Sequence, residues 1–107
     1  MTFMQLLDGV YTYGISEKKL DKTLKKMKNG KIIPGLWLVT LPLFKDGILE
    51  IYDYNQLLQP FYKTMDDSIF IIGISKDRAG ANEIVTEIVQ GMYDANVDFD
   101  VRKYLGM

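Results

Sequence analysis

The chain has 107 residues, a net charge of −1, and neither histidine nor cysteine. This length suits a single domain over residues 1–107, with enough chain to bury a hydrophobic core. The absence of histidine and cysteine excludes the common serine and cysteine nucleophilic systems and argues against zinc and other transition-metal sites. We therefore expect a protein that is not an enzyme and that holds no metal and no cofactor.

The amino-terminal residues and the apolar stretches bear on location. No basic side chain precedes Asp8, which argues against a secretory signal. The longest apolar stretch, residues 32–44, contains Pro34 and Pro42 and falls short of the roughly 20 residues of a membrane-spanning helix. The lack of cysteine agrees with a reducing compartment. We expect a cytoplasmic protein without a membrane segment.

The first element, within residues 2–13, has two interpretations. Apolar residues recur at helical spacing over residues 3–10, whereas residues 10–13 have the β-branched and aromatic composition of a strand. We favour a short helix that ends near Gly9 or Gly14, and the strand stays open as the alternative.

The next element is a helix over residues 16–29. Ser16 is a suitable amino-terminal cap, and Asn29 followed by Gly30 is a stop signal. Its apolar residues form one narrow stripe, so the opposite face is polar. That polar face carries the lysines Lys18, Lys22 and Lys25.

Two strands and a further helix follow. Residues 32–43 are almost wholly apolar and predict a central strand that is buried on both faces. A hairpin turn at 45–47 leads to a second, more exposed strand over residues 48–53. Asn55 can cap a helix over residues 55–64.

The last third of the chain predicts a third strand and two more helical segments. Residues 69–74 have the composition of a strand buried on both faces. A long helix over residues 78–95 follows, with Asp77 as its cap. Residues 98–105 predict one short helical turn that docks on the body of the domain.

These elements predict an α+β fold in the order α-β-β-α-β-α. The simplest architecture is a three-stranded mixed sheet with helices mainly on one face. The first strand is the most apolar and takes the centre, and a β-α-β crossover returns the third strand to its far side. The expected strand order is therefore 2-1-3.

The run of residues 73–80 is the first candidate site, because it joins a buried strand to a helix amino terminus. Free backbone N–H groups and the helix dipole favour anions at such a junction. Ser75, Lys76 and Arg78 add a hydroxyl and two positive charges. The run matches neither phosphate-loop nor dinucleotide-binding patterns, and an ordinary connection capped by Asp77 explains the same residues.

Two other clusters have more ordinary explanations. Residues 94–100 contain three aspartates but lack the glycine and the final glutamate of a calcium loop. The lysine face of residues 18–28 has no arginine and no interleaved aromatic residue, so nucleic acid is not expected as a partner. An acidic protein partner or a simply solvated face remain the alternatives.

Two hypotheses for function follow, from different classes. The first is a non-enzymatic interaction or regulatory domain that forms a homodimer, because two strands buried on both faces need more cover than three helices supply. The second is a small module that binds an anion or nucleotide phosphate through residues 73–80. The expected dimer interface comprises the apolar flank of Val89 and Tyr93 and the edge of the third strand. Lys18, Lys22 and Lys25 are the interface residues expected for an acidic protein partner.

Overall fold

The computed structural model of the chain describes residues 5–43, 47–59, 68–96 and 100–106. Its elements in chain order are β1 (Gln5–Tyr13), α1 (Glu17–Lys28), β2 (Trp37–Thr40), β3 (Glu50–Asp53), a 3-10 helix (Tyr54–Leu58), β4 (Phe70–Ser75), α2 (Arg78–Asp94) and α3 (Val101–Tyr104). The strands form one mixed sheet in the order β1-β4-β2-β3. β1 is parallel to β4, and β2 is antiparallel to both β4 and β3.

The predicted α+β class with a mixed sheet is confirmed, but the sheet has four strands instead of three. The three predicted strands correspond to β2, β3 and β4, and β2 lies between the other two as expected. The additional strand is β1, which adds to the far side of β4. The predicted element order is therefore wrong at its first position, where a strand replaces a helix.

The helical spacing at the start of the chain arises because β1 is apolar on both faces. Leu6 and Val10 pack on one face of the sheet, whereas Leu7 and Tyr11 pack on the other. Apolar pairs on both faces of a strand reproduce the i, i+1, i+4 spacing of a helix. The pairing register with β4 also shifts between Leu6 and Tyr11, around Gly9, whose φ is 70°.

Helices cover both faces of the sheet, which corrects the prediction that they lie mainly on one. On the first face, α1 and the 3-10 helix pack through Met27, Tyr54 and Leu57. On the second face, α2 packs through Ile84, Ile88 and other apolar residues, with α3 beside it. The two apolar faces that the sequence assigns to the central strands are thus each supplied with a helical layer.

The main helix boundaries follow local capping, as predicted. The Ser16 hydroxyl accepts a hydrogen bond from the Lys19 N–H, at 3.3 Å. The Asp77 carboxylate accepts one from the Gly80 N–H at 2.7 Å, and Asp100 caps α3 in the same way. Because each cap satisfies amide groups within its own first turn, these boundaries are readable from sequence.

Some predicted segments lie wholly or partly outside the described residues. These are the turn at 45–47, the second half of the predicted helix 55–64, and the start of the segment 98–105. In its described half, the helix after β3 is a 3-10 helix that begins at Tyr54. Across the described ranges, no helix has both the length and the apolar character to cross a membrane.

Candidate functional site

The candidate site lies where the two parallel strands β1 and β4 end side by side. β1 is followed by α1, which packs on the first face of the sheet, and β4 is followed by α2, which packs on the second. The Lys76 N–H donates to the carbonyl of Tyr13 at 3.2 Å and ties the two strand ends together. Neighbouring parallel strands whose helices leave on opposite faces open a crevice between them, which is the usual ligand site of open α/β sheets.

A cleft of about 310 Å³ occupies this position on the first face. We call it the β1–β4 cleft. Its walls come from the β1–α1 junction, from α1, from the loop that precedes β2, and from the residue after β4. They comprise Gly14, Ile15, Lys19, Thr23, Ile33, Pro34, Gly35, Leu36 and Lys76. A mainly apolar lining with a few polar groups is typical of small-molecule sites.

Lys76 is held at the mouth of the cleft by two close backbone approaches. Gly14 has a φ of 71°, and a Cβ at this position would collide with the aliphatic part of the Lys76 side chain. Gly35 has a φ of 76°, and a Cβ there would lie 3.7 Å from the Lys76 carbonyl oxygen. Glycine adopts both conformations cheaply, and at Gly14 the missing Cβ also leaves room for the lysine. Gly14 therefore lets Lys76 lie across the end of β1.

The wall of the cleft formed by the loop before β2 is fixed by an amide side chain. The Ile33 N–H donates to Asn55 Oδ1 at 2.9 Å, and Asn55 Nδ2 donates to the Ile33 carbonyl at 2.9 Å. The prediction that Asn55 caps a helix is wrong, because Asp53 is the cap and accepts a hydrogen bond from the Asn55 N–H. Asn55 instead clamps the loop before β2, which holds this wall of the cleft in place.

The structure separates the three residues predicted to bind an anion. Lys76 lines the cleft. Ser75 is fully buried, and its hydroxyl donates to the Asp77 carbonyl at 2.7 Å and accepts from the Asp77 N–H at 3.2 Å. The Arg78 guanidinium lies 5.6 Å from the centre of the Trp37 ring, on the second face of the sheet. Of the predicted trio, Lys76 alone points to the cleft.

Sequence inspection missed Lys19 and Thr23, which contribute an ammonium and a hydroxyl from α1. No spacing links them to Lys76, since more than fifty positions separate them along the chain. They come together because β1 pairs with β4. One sequence feature could have indicated that Lys19 and Thr23 lie near Lys76. This feature is the strand-like composition of residues 10–13, which predicts that α1 follows directly after a strand.

The residues predicted for the two interfaces, with a second copy and with an acidic partner, lie on two sides of the molecule. Lys18, Lys22 and Lys25 are exposed on α1, which covers the first face. Val89 is half-buried and Tyr93 is 70% exposed on α2, which covers the second face. The edge of the third predicted strand, now β4, is paired with β1 instead of being open. The five residues therefore do not form one patch.

Within the described ranges, no group of three or more acidic side chains is placed to hold a metal ion. Asp100, from the cluster considered for calcium, uses its carboxylate to cap α3. Residues 97–99 of that cluster lie outside the described residues.

Comparison with protein-family models, with curated proteins and with solved structures finds no match for this chain. Its function must therefore be argued from the site itself, because a fold class does not determine an activity.

Proposed function

We propose that the chain is a small binding module that holds an anionic small molecule, such as a phosphate-bearing metabolite, in the β1–β4 cleft. The observation that carries this proposal is the position of the cleft, at the carboxyl ends of two neighbouring parallel strands whose helices leave on opposite faces. Ligands of open α/β sheets bind at such a point because the strand ends and the diverging connections leave a crevice there.

The charges at the cleft favour an anion. Lys19 and Lys76 both line it, and neither ammonium group forms an ion pair with another described residue. Both lysines are exposed, and an exposed ion pair contributes about 0.2–1 kcal/mol. The two charges therefore favour an anion over a neutral ligand, and contacts with the rest of the cleft must supply most of the affinity. The apolar wall formed by Ile15, Ile33 and Leu36 favours an organic ligand over free phosphate.

The proposed role is binding without catalysis. The lining offers two amines and one hydroxyl, from Lys19, Lys76 and Thr23, and no carboxylate among the described residues. General acid–base chemistry commonly uses histidine, aspartate or glutamate near neutral pH. The chain contains no histidine at all.

A thermal-shift panel of phosphate-bearing and carboxylate-bearing metabolites tests this proposal. A ligand at 100 times its dissociation constant stabilises by about 2.7 kcal/mol, which raises the Tm of a domain this size by about 10–20 °C. Lys76→Ala and Lys19→Ala should each reduce the shift. Lys22→Ala is the matched control, because it removes the same charge from an exposed position of α1 outside the cleft.

Two results would contradict the proposal. One is the absence of a shift with every anionic compound in the panel at millimolar concentration. The other is a shift that survives Lys76→Ala and Lys19→Ala unchanged, or that Lys22→Ala reduces to the same extent, since general surface charge would then explain the binding.

A second candidate function is self-association through α2. Its specific support is Tyr93, which is 70% exposed, with the half-buried Val89 one turn before it on the same helix face. A two-fold contact between two α2 helices would bury both residues in one self-complementary patch. The lysines of α1 take no part in this contact, because they lie on the opposite face of the sheet.

Light scattering at high micromolar concentration tests the second candidate. We expect a dimer that Tyr93→Ser converts to a monomer. Ile32→Ser is the matched control, because Ile32 is 74% exposed but belongs to the loop before β2. A monomeric native protein, or a dimer that Tyr93→Ser leaves intact, contradicts self-association through α2.

A further inference from the structure

The outer edge of β1 is open for pairing. β1 is the terminal strand of the sheet, and no described residue pairs with its outer side. The Tyr13 carbonyl faces inward, because it accepts a hydrogen bond from the Lys76 N–H. Backbone groups of successive residues in a strand point to alternate sides, so Val10 and Thr12 present their N–H and C=O groups outward.

The carboxyl-terminal part of this edge, after the register shift, lacks the usual protection against strand addition. Edge strands are commonly blunted by lysine, proline or a bulge. β1 contains no lysine and no proline, and its single charge, Asp8, lies in the stretch where the register with β4 is irregular. The regular part, residues 11–13, consists of threonine and two tyrosines, which favour strand structure.

An acidic groove runs beside this open edge. It has a volume of about 410 Å³ and lies between the end of β1, at Thr12 and Tyr13, and the outer side of α2. Glu83 and Glu87, one helical turn apart, line its α2 side, and neither forms an ion pair with another described residue. The groove therefore combines free backbone groups on one wall with negative charge on the other.

The Glu87 carboxylate acts on β1 as well. Burial raises the pKa of the Tyr11 hydroxyl, and the neighbouring Tyr104 and Glu87 raise it further. Glu87 therefore lies close enough to the Tyr11 side chain, on the second face of β1, to influence its ionisation.

We propose that an extended, cationic peptide segment of a partner protein adds to the outer edge of β1 as a fifth strand. Main-chain hydrogen bonds to Val10 and Thr12 would supply affinity, and lysine or arginine side chains at alternate positions would meet Glu83 and Glu87. This surface is distinct from the β1–β4 cleft, which lies on the other face of the sheet.

Charge decides between this partner and a second copy of the chain. Two β1 strands paired antiparallel about a two-fold axis keep the same face of both sheets on one side. The Glu83 and Glu87 pairs of the two copies would then face one another across the junction, and like charges in an interface are unfavourable. β1 itself carries no cation that could neutralise them.

The probe is an amidated eight-residue peptide of alternating lysine and threonine with an uncharged fluorophore at its amino terminus. Its binding is measured by fluorescence anisotropy and by the amide chemical shifts of the protein. We expect saturable binding that weakens about tenfold in a Glu83→Gln/Glu87→Gln double variant, as two surface ion pairs allow. Glu17→Gln, on α1, is the matched single-charge control and should bind as the native chain does. The amides of Val10 and Thr12 should shift on binding.

Two further peptides separate strand addition from simple charge attraction. The same sequence with every backbone amide N-methylated keeps its charge but has no backbone N–H to donate from either edge, so it should not bind measurably. A glutamate–threonine peptide should not bind either. Equal binding of the methylated peptide, or binding that the double variant leaves unchanged, would overturn the proposal. So would a dimer of the free protein that Thr12→Pro dissociates, because the edge would then belong to a second copy.

Discussion

The position of Lys76 across Gly14 leads to a prediction that connects backbone conformation with ligand binding. Gly14 has a φ of 71°, and a Cβ at this residue would collide with the Lys76 side chain. Gly9 has a φ of 70°, but a Cβ there would meet nothing within 4 Å. Gly14→Ala and Gly9→Ala therefore impose the same backbone strain and differ in the contact with Lys76.

The expected losses of stability follow from the backbone strain and from the contact with Lys76. A left-handed conformation costs a residue with a Cβ about 1–2 kcal/mol relative to glycine, so Gly9→Ala should lower the free energy of unfolding by that amount. Gly14→Ala should lower it by a further ~0.5–1.5 kcal/mol, the scale of forcing the Lys76 side chain out of its preferred rotamer. The lysine is exposed and flexible, so the backbone term remains the larger one.

A double-mutant cycle measures the contact between residue 14 and the Lys76 side chain. It compares urea unfolding of the native chain, Gly14→Ala, Lys76→Ala and the double variant. In a Lys76→Ala background, Gly14→Ala should cost no more than Gly9→Ala does in the native chain. Gly14→Ala should also weaken binding of an anionic ligand in the thermal-shift panel, because it displaces the Lys76 ammonium. Equal costs for the two alanine variants, together with unchanged ligand binding, would refute the placement of Lys76.

Three further predictions concern the surroundings of the cleft. Asn55→Ala removes both hydrogen bonds to Ile33 and should cost about 1–3 kcal/mol in urea unfolding; unchanged hydrogen exchange at the Ile33 amide would contradict this clamp. Arg78→Ala should lower the free energy of unfolding by about 0.5–1 kcal/mol, because it removes the contact with Trp37. If Arg78→Ala weakened anion binding as much as Lys76→Ala does, Arg78 would belong to the binding site after all. Burial raises the pKa of Tyr11 above its ordinary 10.0, so the folded state holds this proton more tightly than the unfolded state. The resulting stabilisation is complete below pH 10.0 and is lost as the pH rises through the folded-state pKa. Tyr11→Phe should therefore reduce the decline in the free energy of unfolding at alkaline pH. Equally steep declines in both proteins would exclude Tyr11 as the cause.

The helix boundaries show which part of the fold is local. Ser16, Asp77 and Asp100 each bond to an amide three residues ahead, and Asn29 with Gly30 ends α1. These interactions lie within one helical turn, so the sequence contains all the groups that make them. Asn55 is the exception, because its side chain finds Ile33, 22 positions away, in place of its own helix.

The candidate site was only partly predictable for the same reason. The sequence places Lys76 at a strand-to-helix junction, and the structure keeps it there. Ser75 and Arg78 share that junction but do not reach the cleft. The buried Ser75 hydroxyl bonds to the Asp77 backbone, and the Arg78 guanidinium lies over the Trp37 ring on the second face. Lys19 joins Lys76 only after β1 has paired with β4.

By itself the sequence determined the α+β class, the three strands β2, β3 and β4 with their neighbours, and the ends of the main helices. It also determined that any chemistry here works without histidine or cysteine. The tertiary structure alone decided that the first segment is a strand, that helices cover both faces, and that a cleft lined by two lysines opens on the first face. Apolar spacing and caps are local properties of the chain, whereas the choice of strand partner is made by burial between residues far apart in sequence.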